Sequence, residues 1–95
     1  MATLNEMTKE QEVSMLNQVV IEGMLNVRFS IQELEIFSIK NEYGIFSVHC
    51  SGALADVVTK MKEDSKVRVV GKLMFDNKGY HKSVYISAEY IDILK

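Results

Sequence analysis

Basic and aromatic residues alternate near the C-terminal end of the chain, in a pattern that could bind single-stranded nucleic acid. The residues concerned are Phe75, Lys78, Tyr80, His81 and Lys82. Aromatic rings stack on nucleobases, and lysines contact the backbone phosphates. The same composition also fits a solvent-exposed hairpin with ordinary Lys and Tyr side chains, so both interpretations stay open from the residues alone.

Other kinds of chemistry have little support in the residue pattern. His49 and His81 lie far apart on different predicted strands, and Cys50 is the single cysteine, so no zinc-ligand spacing is present. The sequence has no nucleophile elbow, no glycine-rich phosphate loop and no Ser-His-Asp order. We therefore expect a binding module and not an enzyme, with no metal site and no cofactor, and we interpret Cys50 as a buried apolar residue.

Apolar residues at every second position predict five β-strands, at residues 17–25, 35–41, 45–51, 67–75 and about 80–94. The fifth is long for a strand, and we expect it to bend or bulge. Tight turns are predicted at residues 41–44 and 76–79. Between the third and fourth strands, residues 53–64 have apolar side chains at helical spacing, namely Leu54, Val57, Val58 and Met61.

Five strands with one helix between the third and the fourth form the element order of an OB-fold, an all-β, five-stranded Greek-key barrel. Gly23 and Gly71 lie inside predicted strands, where a glycine allows sharp coiling or the close approach of another backbone. We predict that this OB-fold domain comprises residues 17–95. Residues 1–16 form a polar N-terminal arm or a short helix, since residues 8–11 have the spacing of a capping box.

The strand alternation places further candidate residues on the barrel surface. Lys40 and Lys72 are predicted to point outward from adjacent parts of the barrel, Arg28 lies in the first loop, and His49 lies on the outer face of the third strand. The complete set of candidate nucleic-acid-binding residues is Arg28, Lys40, His49, Lys72, Phe75, Lys78, Tyr80 and Lys82.

The net charge of −2 is not typical of a nucleic-acid-binding protein. After residue 16 the acidic and basic residues are equal in number, so a basic patch requires asymmetric placement. No stretch approaches the roughly 20 apolar residues of a membrane span, and the N-terminal residues lack the order of a signal peptide. With a single cysteine, the sequence favours a cytoplasmic location and no membrane partner.

Five segments resemble the bacterial single-stranded DNA-binding protein family, in the correct order. The segments and the family patterns are residues 17–25 with N-x-V-x-[LI]-x-G-x-L, 36–41 with F-S-[LV]-x-x-N, 52–57 with G-x-[LT]-A-[DE], 67–73 with V-x-V-x-G-x-L, and 86–91 with I-x-A-[DE]-x-[IV]. The resemblance implies an OB-fold that binds single-stranded DNA by base stacking and phosphate contacts, in replication, recombination or repair. It also implies a homo-dimer or tetramer in which first strands pair, with Val20 and Met24 in the interface.

The chain departs from the family pattern on the third strand. Ser51 and Ile45 stand where the family often has aromatic residues, and Met24 stands where it commonly has Arg. Two hypotheses therefore remain. Either the chain binds single-stranded DNA, possibly RNA, through its basic and aromatic surface, or it is a protein–protein interaction module of the primosomal-accessory type. The second hypothesis is motivated by outward Val20, Val70 and Met74, which would contact replication or repair proteins.

Overall fold

The computed structural model describes residues 16–76 and 83–94 of the 95-residue chain. Within them, five strands close into a barrel in the order β1-β2-β3-β5-β4, with β4 pairing back onto β1. The pair β3–β5 is parallel and the other pairs are antiparallel. The elements are β1 Val19–Ile31, β2 Leu34–Asn41, β3 Gly44–Ser51, α1 Ala53–Thr59, β4 Lys66–Asp76 and β5 Ser83–Leu94. The predicted all-β OB-fold barrel is confirmed.

Some predictions lie outside the described residues. These are the arm at residues 1–15, the greater part of the turn at residues 76–79, and the candidate residues Lys78, Tyr80 and Lys82. The turn predicted at residues 41–44 is confirmed, because the pairing of β2 with β3 ends at Asn41 and Gly44. A hydrogen bond from the Tyr43 backbone N–H to Asn41 Oδ1, 2.8 Å long, closes this turn.

The inward side chains of the strands form the core that the alternation predicted. Phe37, Ile39, Val48 and Val67 are almost fully buried, and each contributes about 1.5–3 kcal/mol by leaving water. Cys50 is also buried, and both this burial and the nearby Glu35 carboxylate raise the pKa of its thiol to about 11. The thiol is therefore protonated at neutral pH, which agrees with the interpretation of Cys50 as a core residue.

The helix is shorter than the prediction of residues 53–64, because it ends at Thr59. Its last turn tightens into bonds between residues three apart, from the Lys60 N–H to the Val57 carbonyl and from the Met61 N–H to the Val58 carbonyl. Val58 and Met61 are buried as the spacing predicted, whereas Val57 is 37% exposed. The helix and the turn that follows it therefore cover one end of the barrel with the side chains of Val58 and Met61.

Strand β1 is longer than the predicted residues 17–25, because it continues to Ile31 and turns into β2 through two residues. Gln32 has a φ of 54°, as a tight hairpin turn requires. The extension follows a β-bulge, since Leu25 pairs with Ile39 but the next pair is Arg28 with Phe37. One residue of β2, Ser38, thus lies opposite two residues of β1.

Strand β5 contains a second bulge, and the prediction that this strand bends or bulges is confirmed. Val70 pairs with Tyr90, but the next residue, Gly71, pairs with Ala88, so Glu89 is the extra residue. Gly71 lies against this bulge. A Cβ atom there would overlap the Ser87 carbonyl oxygen and lie 3.0 Å from the Ala88 Cα.

Gly23 meets a similar constraint, because a Cβ atom there would overlap the Ile39 side chain and lie 2.7 Å from the Lys40 carbonyl oxygen. Both glycines thus allow the close approach of a neighbouring backbone that the sequence predicted.

We expect the Gly71→Ala substitution to destabilise the barrel by about 1–3 kcal/mol, because the methyl group must displace backbone atoms of β5. Urea unfolding followed by circular dichroism measures this change. Lys72→Ala is the matched control, since the neighbouring side chain is exposed. Equal stabilities for the two variants would contradict the role given to Gly71.

Candidate nucleic-acid interface

Five residues, one from each strand, form a continuous row across the outer face of the barrel. The strand register places Phe29 beside Ile36, Ile36 beside His49, His49 beside Ser87, and Ser87 beside Lys72. Neighbouring strands are about 4.8 Å apart, so Phe29 and His49 are separated by about 10 Å. The row therefore runs from an aromatic ring at one end to an ammonium group at the other.

An aromatic stack stands on this row. The rings of His49 and Tyr85 lie face to face, with centroids 3.9 Å apart and an interplanar angle of 13°. Phe29, two strands from His49, is 50% exposed. The outer face that these residues form is here named the front face, and it consists of Phe29, Ile36, His49, Lys72, Tyr85 and Ser87.

The two bulges explain why Phe29 and Tyr85 point outward. Before the bulge in β1, the odd-numbered residues such as Leu25 point inward. After the bulge the odd-numbered residue Phe29 points outward, because it pairs with Ile36, an outward residue of β2. In β5 the bulge at Glu89 likewise reverses the alternation, so that Ile86 is buried and its neighbour Tyr85 faces outward. Both aromatic rings therefore owe their position on the front face to a bulge.

The hydroxyl group of Ser38 holds the first bulge. It accepts hydrogen bonds from the Val27 backbone N–H, at 3.2 Å, and from Asn26 Nδ2, at 3.3 Å. The extra residue in β1 thus has a polar partner on the facing strand.

The imidazole of His49 is partly withdrawn from water, and this burial lowers its pKa below the ordinary value of 6.5. The negative charge of Asp76 acts in the opposite direction and is the smaller effect. At pH 7 the His49 ring is therefore neutral. The front face presents a neutral aromatic stack, flanked by the charge of Lys72.

Lys40 lies elsewhere on the outer surface, and its predicted placement next to Lys72 was wrong. The register puts Lys40 beside Met24 on β1, and Met24 beside Lys66 on β4. The barrel order explains the error, since β2 and β4 are separated by β1 on one side and by β3 and β5 on the other. Lys40 and Lys66 thus lie on either side of Met24.

Arg28 lies within β1 and not in a loop, so its predicted position was also wrong. Its guanidinium Nη1 donates hydrogen bonds to the carbonyl oxygens of Val58 and Met61, each 2.6 Å long. Such charge-assisted bonds stabilise the end of α1. This position gives Arg28 a structural role at the helix end, and the nucleic-acid contact proposed for it remains a prediction.

Phe75 lies on the other face of the β4–β5 hairpin from Lys72 and Tyr85. It pairs with Val84, and alternation along β4 places it on the same side as Leu73. The structure therefore brings His49 and Lys72 together among the predicted residues, and separates Lys40, Arg28 and Phe75 from them.

Sequence reasoning missed Phe29 and Tyr85. Val27, Phe29 and Ile31 do alternate with polar residues, so a strand beyond residue 25 could have been recognised. The face of the barrel on which Phe29 and Tyr85 lie could not be recognised, because a bulge leaves no sign in the alternation of apolar and polar residues.

Two further properties concern the described parts of the chain. In residues 16–76 and 83–94, no cluster of three or more His, Cys, Asp or Glu side chains could hold a metal ion. No helix in these two ranges has the length and apolar character needed to cross a membrane.

We expect the His49 imidazole to titrate below pH 6.5 in NMR spectra, and we expect Tyr85→Ala to move its midpoint back towards 6.5 because the ring gains water. The unfolded chain takes up the His49 proton at a higher pH than the folded chain does. Stability from this residue is therefore complete above pH 6.5 and is lost as the pH falls through the lowered pKa. Tyr90→Ala, at an exposed tyrosine that makes no ring stack with His49, is the control. A midpoint at or above 6.5 in the unmodified chain would contradict this assignment.

Comparisons with known proteins give matches among solved structures alone, since no family model and no curated protein matches the chain. OBody NL8, bound to hen egg-white lysozyme, is 19% identical with a TM-score of 0.69, and the match covers 82% of this chain and 93% of that one. Asparaginyl-tRNA synthetase from Pyrococcus horikoshii is 14% identical with a TM-score of 0.71, over 82% of this chain and 20% of that one.

A third match is the second single-stranded DNA-binding protein, SSBb, from Mycobacterium smegmatis. It is 23% identical with a TM-score of 0.65, over 82% of this chain and 86% of that one. Identities this low show a common fold alone. The three proteins are named for different activities, so the function of this chain depends on its own surface and not on the fold. The chain has the OB-fold.

Proposed function

We propose that this protein binds single-stranded nucleic acid on its front face, as a binding protein and not as an enzyme. The stack of His49 on Tyr85 carries the proposal, because it places flat aromatic surface on the same face as the exposed ring of Phe29, with Ile36 between them. Bases of a single strand have free faces that can stack on such rings, at about 1–3 kcal/mol per base. The match to a single-stranded DNA-binding protein of Mycobacterium smegmatis supports the same function.

Five of the six front-face residues have a role in this proposal. Phe29 and the stacked pair of His49 and Tyr85 receive bases about 10 Å apart, the distance across two strand spacings. Ile36 provides the apolar floor between them. Lys72 neutralises a phosphate at the far end of the row.

The charge of the chain favours stacking as the main source of affinity. The net charge is −2, and His49 is neutral at pH 7. Few phosphates can then be neutralised, so the affinity should depend less on salt than that of a strongly basic protein. Single-stranded DNA is the ligand that we propose, and a role in replication, recombination or repair follows from that choice.

We expect Tyr85→Ala to weaken the binding of fluorescent oligo-dT by about tenfold, because the loss of a stacking surface costs about 1–3 kcal/mol. Fluorescence anisotropy at low and at moderate salt measures the affinity. Tyr90→Ala removes an exposed tyrosine from the part of β5 beyond the bulge, and we expect it to bind as the unmodified chain does. The absence of binding by the unmodified chain at both salt concentrations would disprove the proposed function.

In the same titration Lys72→Ala should reduce the salt dependence of binding by about one unit of slope. Its effect should be similar for oligonucleotides of different sequence, since a phosphate contact carries no base information.

A second candidate function is favoured by an apolar row on another part of the barrel. Val20, Val70 and Tyr90 are neighbours across β1, β4 and β5, and Val20 and Tyr90 are 58% and 67% exposed. Exposed apolar groups in a row are typical of protein contacts. An OB-fold protein that binds another protein, OBody NL8, is among the structural matches. This row supports the alternative of a protein–protein interaction module.

The same row supports self-association through β1. Residues Val19 to Gly23 pair with β4 alone, while the pairing of β1 with β2 begins at Met24. On the other edge of residues 19–23, the Glu22 carbonyl oxygen accepts a hydrogen bond from the side chain of Asn41, through Nδ2 at 2.9 Å. We propose that two copies pair along this edge, with Val20 and Met24 in the interface.

We expect the unmodified chain to form dimers or tetramers in multi-angle light scattering, and Val20→Glu to shift it to monomers, because the substitution buries a charge in the interface. Val27→Glu is the matched control, since Val27 and Val20 are both 58% exposed. A monomeric unmodified chain at high micromolar concentration would exclude this mode of assembly.

A further inference from the structure

A small pocket opens on the outer face of the barrel, between β3 and β5 and next to the aromatic stack. Over the described residues, these two strands pair at Val48 with Ile86 and at His49 with Ser87, and no further. Towards the helix end β5 then bulges at Glu89. A pocket of about 250 Å³ lies where the two strands separate.

The pocket takes its shape from three strands. Its lining includes Leu34 from β2, Ser51 from β3, and Ser87 and Ala88 from β5, beside the rings of His49 and Tyr85. The register pairs Leu34 with Ser51, and both point outward because the neighbouring residues on their strands are buried. Ser51 is two residues from His49, about 7 Å along β3. The space between them is open because residues 51, 87 and 88 have small side chains.

The polar part of the pocket is uncharged. Its lining contains no Asp, Glu, Lys or Arg, and the His49 ring is neutral at pH 7. The hydroxyl groups of Ser51 and Ser87 have no hydrogen-bond partner among the described residues, and a serine hydroxyl can donate as well as accept. Ser87 is the nearer of the two to the stack, since it pairs with His49. The pocket therefore suits a neutral polar group and not a phosphate.

The apolar part of the pocket consists of Leu34 and Ala88. A polar group beside a small apolar wall matches one edge of thymine, which carries the O4 acceptor next to the C5 methyl group. A base that stacks on the rings of His49 and Tyr85 has its edges beside these rings, where the pocket lies. Uracil has the same O4 atom but lacks the methyl group.

We propose that this pocket is a thymine-selective subsite of the front face, an inference that rests on the proposed function. The base stacks on the rings of His49 and Tyr85. Its O4 atom accepts a hydrogen bond from the Ser87 hydroxyl, and its C5 methyl group packs against Leu34 and Ala88. The stack provides affinity for any base, whereas the pocket distinguishes thymine from uracil. The subsite therefore favours DNA over RNA, in which uracil replaces thymine.

Fluorescence anisotropy with oligo-dT and oligo-dU of equal length tests this proposal, because the two ligands differ only in the C5 methyl group. We expect oligo-dT to bind about fourfold more tightly, since one methyl group leaves water in the pocket. Leu34→Ala should bring the ratio of the two affinities close to one. Ser51→Leu should do the same by filling the pocket from an exposed position, and it serves as the second variant if Leu34→Ala does not fold.

Ile45→Ala is the matched control, because it shortens an apolar side chain that is 60% exposed at the other end of β3 from the pocket. It should leave the fourfold ratio unchanged. Ser87→Ala tests the hydrogen bond separately. We expect it to weaken the binding of both oligonucleotides by about fivefold and to preserve their ratio, since thymine and uracil both carry O4.

Equal affinities of the unmodified chain for oligo-dT and oligo-dU would overturn the thymine subsite and leave base stacking on the front face in place. A ratio that persists in both Leu34→Ala and Ser51→Leu would overturn it as well. Unchanged affinities in Ser87→Ala would contradict the hydrogen bond to O4. Failure of the unmodified chain to bind either oligonucleotide would instead disprove the proposed function, so the two failures are distinguishable.

Discussion

The pairing of two β1 residues, Asn26 and Val27, against the single β2 residue Ser38 is the constraint on which the front face depends. The Ser38 hydroxyl accepts from both of them, so the extra residue is held by hydrogen bonds. Because side chains alternate along a strand, one extra residue exchanges the two faces of everything that follows. Arg28 thereby turns towards the end of α1, and Phe29 turns outward.

The second bulge, at Glu89, has the same effect on β5 and completes the arrangement. It lies opposite Gly71, where no side chain could fit against the Ser87 carbonyl oxygen. The glycine and the bulge are therefore two parts of one structural solution. Tyr85 turns outward as a result and meets His49 across the parallel pairing of β3 with β5. The aromatic stack thus depends on a backbone contact that lies two residues from Tyr85 along β5.

The five strands and their closure into a barrel could be predicted from the sequence, because they follow from the alternation of apolar residues and from the positions of Gly23 and Gly71. Phe37, Ile39, Val48 and Val67 each lie in a predicted strand with apolar residues at every second position, and the structure buries all four. The front face could be predicted only in part. His49 was placed outward on β3, but Tyr85 reaches it through the parallel β3–β5 register, which no local pattern specifies.

The third strand lacks the aromatic residues that the resemblance led us to expect, yet the front face is not without them. Side chains from neighbouring strands lie side by side on a barrel surface, so an aromatic surface can be formed by residues of several strands. Here β1 supplies Phe29 and β5 supplies Tyr85, on either side of His49 in β3. Aromatic surface absent from one strand can be provided by adjacent strands when bulges turn their side chains outward. The substitutions at Ile45 and Ser51 therefore do not by themselves remove a stacking surface from the barrel.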